Sequence, residues 1–221
     1  MGKDEQAASE KVNPSMKTKN ILLIVVIVVV IVTLYYSYTG SQDQSTYVSE
    51  ITAEREDKDR YMKTSPESPF AENPTAFTTL KYFPPDIRYK ITATLTPVQN
   101  KKPVMLSTND GKQQQYVEYA YADFDLDGYN NRLLILEVLD AGPFRGKLFL
   151  AFGDETSAGE TYGAGRYLDV VKVPGANTIT LDFNKAYNPY CAYVEKYSCP
   201  FPPPENLLKV ALRAGEKVYH E

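Results

Sequence analysis

Three segments of this 221-residue chain gather side chains able to do chemistry: Glu160 to Asp169, Asp182 to Tyr193, and Pro203 to Asn206. Each mixes carboxylate, amide, phenol or guanidinium groups with Gly or Pro turns, and loops of that kind on a sheet scaffold are where binding and catalysis concentrate. One arrangement of these groups is a shallow pocket for a small ligand or an envelope component. In it Arg166 pairs an anionic group, Asn188 and Asn206 give donors and acceptors, Tyr162 and Tyr193 supply flat contact surface, and Glu205 belongs to the same set. An Arg166 used in this way would leave stability nearly unchanged when replaced by Ala. A second arrangement is hydrolytic, with Glu160 or Glu205 as acid or base and Asp169 or Asp182 as its partner, acting on an envelope glycan or ester. Carboxylate pairs can do such work without histidine when burial raises one pKa. A third has the Asn and Asp side chains bonding to turn amides in a non-catalytic scaffold at the membrane, with Pro200 to Pro204 as an extended brace.

Other motifs restrict the chemistry further. The single histidine, His220, stands next to the C-terminus, so Ser-His-Asp and Cys-His sites and histidine-rich metal centres would all have to run through one terminal residue. Cys191 and Cys199 are the only cysteines. An oxidising compartment would favour a disulfide between them, stabilising the fold by about 2.5 kcal/mol on the chain-entropy model. Two buried thiols or half of a metal site are the competing readings, but a second pair of ligands is hard to find, and neither a metal nor a cofactor is expected. Asp123-Phe124-Asp125-Leu126-Asp127-Gly128 matches the first half of a calcium loop, yet Leu134 stands where a bidentate glutamate is needed, and an Asp-Gly hairpin turn accounts for the same residues. Gly163-Ala164-Gly165-Arg166 lacks the third glycine and the following helix of a dinucleotide fingerprint, and reads as a flexible turn.

The elements that must position these groups are short and alternating. Tyr89 to Thr96, Met105 to Ser107, Tyr116 to Leu126, Arg132 to Leu139, Lys147 to Phe152, Tyr167 to Val173, Thr178 to Phe183 and Leu207 to Arg213 read as strands, separated by Asn109-Asp110-Gly111, Asp127-Gly128 and Pro174-Gly175. The expected class is mainly β, an antiparallel sandwich or barrel-like domain over residues 69–221. A net charge of −4 with the two signs interspersed gives no basic stripe for nucleic acid.

Ahead of this domain, Ile21 to Tyr36 is a run of Ile, Val and Leu interrupted only by Thr33 and two tyrosines, and residues 20–38 read as one transmembrane helix contacting membrane lipid. Lys17 and Lys19 precede the run and the next basic residue is Arg55, so the positive-inside rule puts residues 1–19 in the cytoplasm and the domain outside the inner membrane. A cleaved signal peptide is the alternative. Residues 39–68 are polar, have the composition of a partly helical stalk, and end at Pro66 and Pro69.

Four blocks then carry a resemblance: Tyr82-Phe83-Pro84-Pro85-Asp86, Gly159 through Asp169, Asp182 through Tyr193, and Ser198-Cys199-Pro200 through Asn206. Together they resemble the domain-of-unknown-function 1684 family over roughly residues 55 to 217. The resemblance implies a β-rich bacterial and archaeal domain with no established activity. It also implies that the two cysteines do not serve a disulfide alone, since relatives without an export segment carry them.

Overall fold

Alternation of apolar and polar side chains, broken by Gly and Pro turns, builds seven strands among the described residues: β1 (Lys90–Pro97), β2 (Pro103–Ser107), β3 (Gln113–Leu126), β4 (Tyr129–Val138), β5 (Leu148–Phe152), β6 (Arg166–Leu168) and β7 (Thr178–Asp182). The computed structural model describes residues 14–139 and 142–220, with the side chains of 14–20 and 34–42 outside that description. The strands form one antiparallel half-barrel sheet in the order β6-β5-β4-β3-β1-β7, and β2 lies beside the first half of β3. The mainly β, antiparallel expectation holds.

Turn chemistry sets the register. Asp127 and Gly128 both adopt left-handed backbone, φ 53° and 81°, as a two-residue hairpin between β3 and β4 requires. The carboxylates of the half calcium motif are used locally. Asp123 pairs with Arg132 across the hairpin, and Asp125 accepts the Gly128 N–H at 3.2 Å. Asn109-Asp110-Gly111 closes β2 onto β3, and Gly175 at φ 76° follows Pro174 in the turn before β7. Two expectations are corrected here. The strand expected over 167–173 stops at Leu168, and no strand forms over 207–213. That last segment runs irregularly because side chains, not a neighbouring strand, satisfy its carbonyls at Leu212 and Ala214.

Both faces of the sheet are covered. One carries Ala122, Leu133, Ile135, Phe152, Leu181 and Phe183, packed under Leu208, Leu212 and Ala214. The other carries Tyr116, Leu134 and Leu136 toward β2, and Ala151 and Tyr167 toward the segment that holds the cysteines.

Helix α1 (Pro14–Thr64) ends just before Pro66, as the prolines demand. Residues 1–13, expected to be a cytoplasmic tail, lie outside the described residues. No helix among the described residues is long and apolar enough to cross a membrane. The apolar side chains described in α1 run from Ile21 to Thr33, about 20 Å at 1.5 Å per residue against a bilayer core of about 30 Å.

The polar stalk expected over 39–68 is different in the structure. The compact unit that holds the sheet begins at Tyr47, so the last third of α1 is part of the domain. Tyr47, Ile51 and Met62 are buried along one helical stripe with Arg55 and Lys58 between them. Tyr47 donates to Asp182 at 2.7 Å, Arg55 donates to the carbonyls of Phe83 and Asn184, and the Arg55 guanidinium lies 4.4 Å from the Tyr82 ring centre. Burial, with Asp182 adding to it, pushes the Tyr47 phenol far above its ordinary pKa, so it remains a donor. Ile51→Ala should cost about 2–4 kcal/mol in urea unfolding. A chain beginning at residue 69 should lose cooperative unfolding, whereas one beginning at Tyr47 should keep it.

Candidate functional site

Arg166, expected at a surface pocket, is 1% exposed at the start of β6. Its guanidinium donates to the Asp154 carboxylate at 2.8 Å, to the Leu212 carbonyl at 3.0 Å, and to the carbonyls of Ala214 and Glu216. Asp154 is equally enclosed, accepts from Thr156 and from the Leu212 N–H, and so fixes the turn after β5 to the C-terminal segment. Burial lowers the arginine's pKa, and the neighbouring Asp154 opposes that shift. The Gly163-Ala164-Gly165 turn is not a flexible arm. Gly165 is at φ 88°, and a Cβ there would lie 2.6 Å from Pro202 and 2.7 Å from the Phe152 carbonyl.

The other expected site residues also face different neighbours. Asn188 is fully buried and donates to the Glu216 carboxylate at 2.9 Å and to the Lys217 carbonyl at 2.8 Å. Tyr193 donates to the same Glu216 carboxylate, which Lys58 of α1 pairs at 3.0 Å. Asn206 is inserted between β4 and β5 where they separate after only two paired positions. It accepts from the Leu134 N–H and donates to the carbonyls of Leu134 and Ala151, replacing ladder bonds that the strands no longer make. Glu205 is exposed in the short turn Pro204–Asn206. Tyr162 is half-buried beside Cys191. Arg166, Asn188 and Asn206 are therefore enclosed at separate places among backbone groups and buried carboxylates, with Arg166 Nε and Asn188 Oδ1 buried without a hydrogen-bond partner among the described residues.

The four carboxylates of the hydrolytic reading are likewise apart in their contacts. Glu160 pairs with exposed Arg213, Asp182 holds Tyr47 and caps Asn184, Asp169 accepts from Tyr187 at 2.9 Å, and Glu205 faces solvent.

An extended cleft opens instead on the face of the sheet that carries Tyr167. Two adjoining cavities of 830 and 660 Å³ share Phe144, Tyr167, Asp169, Tyr187 and Pro200. Rings succeed one another along the wall: Tyr116 on Phe149 at 4.9 Å, Phe149 on Tyr167 at 4.9 Å, and Tyr167 on Tyr187 at 6.0 Å. Tyr190 and Tyr197 continue it at 5.3 Å. Lys147 and Lys172 reach the larger cavity, each also lying over a ring, Lys147 on Phe144 and Lys172 on Tyr119. Phe144 is 61% exposed at the mouth. Sequence reasoning missed this wall because its members lie on four elements, although eighteen tyrosines against no tryptophan were a signal that flat polar rings had a use.

The cysteines lie at the edge of the cleft. Both are free thiols, and the Cys191 N–H points at the Cys199 sulfur at 3.3 Å, so the bridge considered from sequence is absent although the partners are adjacent. The hydrogen bond from Cys199 lowers the Cys191 thiol to about 7 against the opposing effect of burial, and Tyr162 adds to the lowering. Cys199 is pushed far up by the same bond and by burial.

A family model described as a protein of unknown function, DUF1684, matches residues 75–217. The chain belongs to the DUF1684 family. This DUF1684 domain is also similar to the solution NMR structure of an uncharacterized protein from Haloarcula marismortui, at 35% identity and a TM-score of 0.60, over 81% of this chain and 99% of that one. No curated protein matches the chain.

Arg166→Ala should destabilise the domain by about 3–5 kcal/mol in urea unfolding, because Asp154 loses its buried ion-pair partner and three carbonyls lose their donor. Arg166→Lys should recover less than half of that, lacking the donors for three carbonyls. For the thiols, alkylation of Cys191 should rise with pH about a midpoint near 7, the pH at which half of it is thiolate. The groups facing it are Cys199, Tyr162 and, in the same cavity, Glu195 and His220. Tyr162→Phe removes a bond that favours the thiolate and should move the midpoint upward.

Proposed function

We propose that this DUF1684 domain is a binding module whose ligand lies in the aromatic cleft and presents flat apolar faces together with an acidic group. The observation that carries the reading is the continuous series of rings from Tyr116 to Tyr187 along a cleft that also holds Lys147 and Lys172. Rings match the apolar faces of sugars and of aromatic compounds, and the two ammonium groups favour an anionic substituent. An acidic saccharide of the cell envelope fits both demands. Of the polar loop segments, 160–169 and 182–193 lend Tyr167, Asp169, Tyr187 and Tyr190 to the cleft surface, while Arg166, Asn188 and Asn206 support it from within.

Delivery to the envelope is the second part of the proposal, with α1 as an uncleaved anchor. In support, every side chain from Ile21 to Val32 is at least 44% exposed, which leaves apolar groups open on all faces of the helix. A helix apolar all round is stable in lipid or in a protein core, and water penalises it. The flanking Lys17 and Lys19 support an N-terminus in the cytoplasm and a domain outside it.

Full-length protein in detergent, titrated with a glucuronic-acid disaccharide and with maltose, should bind the acidic sugar measurably and the neutral one more weakly. Phe144→Ala should weaken binding about fivefold, the size of one aromatic contact of roughly 1 kcal/mol, with no change in melting temperature. Saturable binding that is indifferent to Phe144 and to both lysines would remove the cleft from the reading. External protease should cut a C-terminal tag in intact spheroplasts, and a tag protected until lysis would remove the topology.

A further inference from the structure

The cysteine pair is buried with Ala151 and Tyr167 behind the aromatic wall, and the groups around the two sulfurs differ from one another. Cys199 is held from both sides: its N–H donates to the Asn109 side chain at 2.7 Å and its carbonyl accepts the Asn109 N–H at 3.2 Å. Cys191 lies in the short turn Tyr190–Ala192 and directs its own N–H at the Cys199 sulfur. Each cysteine lines a different cavity. Cys191 lines a 340 Å³ cavity with Tyr162 and His220, and Cys199 lines the 660 Å³ part of the aromatic cleft. The Tyr162 hydroxyl lies 3.9 Å from the Cys191 sulfur. Burial, before any effect of the thiols, raises that phenol to about 12, so it remains a protonated donor toward a sulfur anion at neutral pH. Adjacency, a separate cavity beside each cysteine and a neutral donor on one sulfur are features that suit an exchanging pair.

We propose that Cys191 and Cys199 form a dithiol that exchanges with low-molecular-weight disulfides, Cys191 attacking and Cys199 resolving. In the first step the Cys191 thiolate forms a bond to one sulfur of the disulfide, whose S–S bond breaks and releases one thiolate. Cys199 then gives up its proton to that thiolate and attacks the Cys191 sulfur, and the second small thiolate leaves with the proton lost earlier by Cys191. The protein has lost two electrons and gained one S–S bond, and the small disulfide has become two thiols. A dithiol reductant runs the same steps backward. The inference is independent of the proposed ligand and of the membrane topology.

The test uses the full-length protein and oxidised glutathione, followed by intact-mass spectrometry under native conditions. Wild-type protein should release two glutathiones per chain, carry no adduct at completion and return to the dithiol with dithiothreitol. Cys199→Ser should accumulate one glutathione on Cys191, and Cys191→Ser should react at least tenfold more slowly. The wild-type stoichiometry needs no variant and holds the test if either substitution impairs folding. Equal rates for the two variants would overturn the assignment of roles. A wild-type chain that stays fully reduced, becomes modified without bridging, or bridges only after unfolding in urea would overturn the proposal.

Discussion

A guanidinium removed from water has to be surrounded by acceptors, and satisfying Arg166 dictates much of the rest of this domain. Its partners are one carboxylate, Asp154, and the carbonyls of Leu212, Ala214 and Glu216. Taking three alternate carbonyls from one stretch of chain requires that stretch to follow an irregular path over β6, and the path needs a left-handed residue. Gly215 at φ 74° supplies it, in a place where a Cβ would come within 2.6 Å of the Ala186 carbonyl. The next residue, Glu216, then turns its carboxylate inward, where Lys58, Asn188 and Tyr193 meet it. One buried cation thereby fixes a tail, and one buried anion on that tail fixes α1 and the turn that bears the cysteines.

The cleft follows from the same geometry. β4 and β5 stay paired at only Leu136 with Phe149 and Glu137 with Leu148, so the sheet opens beyond them and Asn206 fills the gap. β5 and its partner β6 carry Phe149 and Tyr167 on the face opposite Arg166, and the segment from Tyr187 to Pro200 supplies the facing wall. Rigid polar support lies on one side of these strands and a row of rings on the other.

The strands and turns were legible because their signals are local. Asp127-Gly128 and Pro174-Gly175 specify backbone geometry within a few residues, and alternation over 116–126 states which face is buried. The roles of Arg166, Asn188 and Asn206 were not legible. A polar residue in a loop looks the same in sequence whether it awaits a ligand or satisfies a carbonyl fifty residues away, and here the partners of Arg166 lie at 212–216. The stalk was misread for a related reason. Its docking stripe mixes Tyr47, Ile51, Arg55, Lys58 and Met62, so long-range polar partners, absent from any local window, make a charged helix into part of the core. The aromatic wall escaped because Tyr116, Phe149, Tyr167 and Tyr187 are brought together only by strand order.

The amide of Asn206 closing the gap between β4 and β5 has a consequence for how the chain is made. Synthesis runs from the N-terminus, yet the sheet's missing ladder bonds, the acceptors of Arg166 and the anion that receives α1 all arrive between residues 206 and 216. Residues before this segment cannot complete those bonds until it has been synthesised, so the sheet, the buried arginine and α1 are joined in one late step of folding.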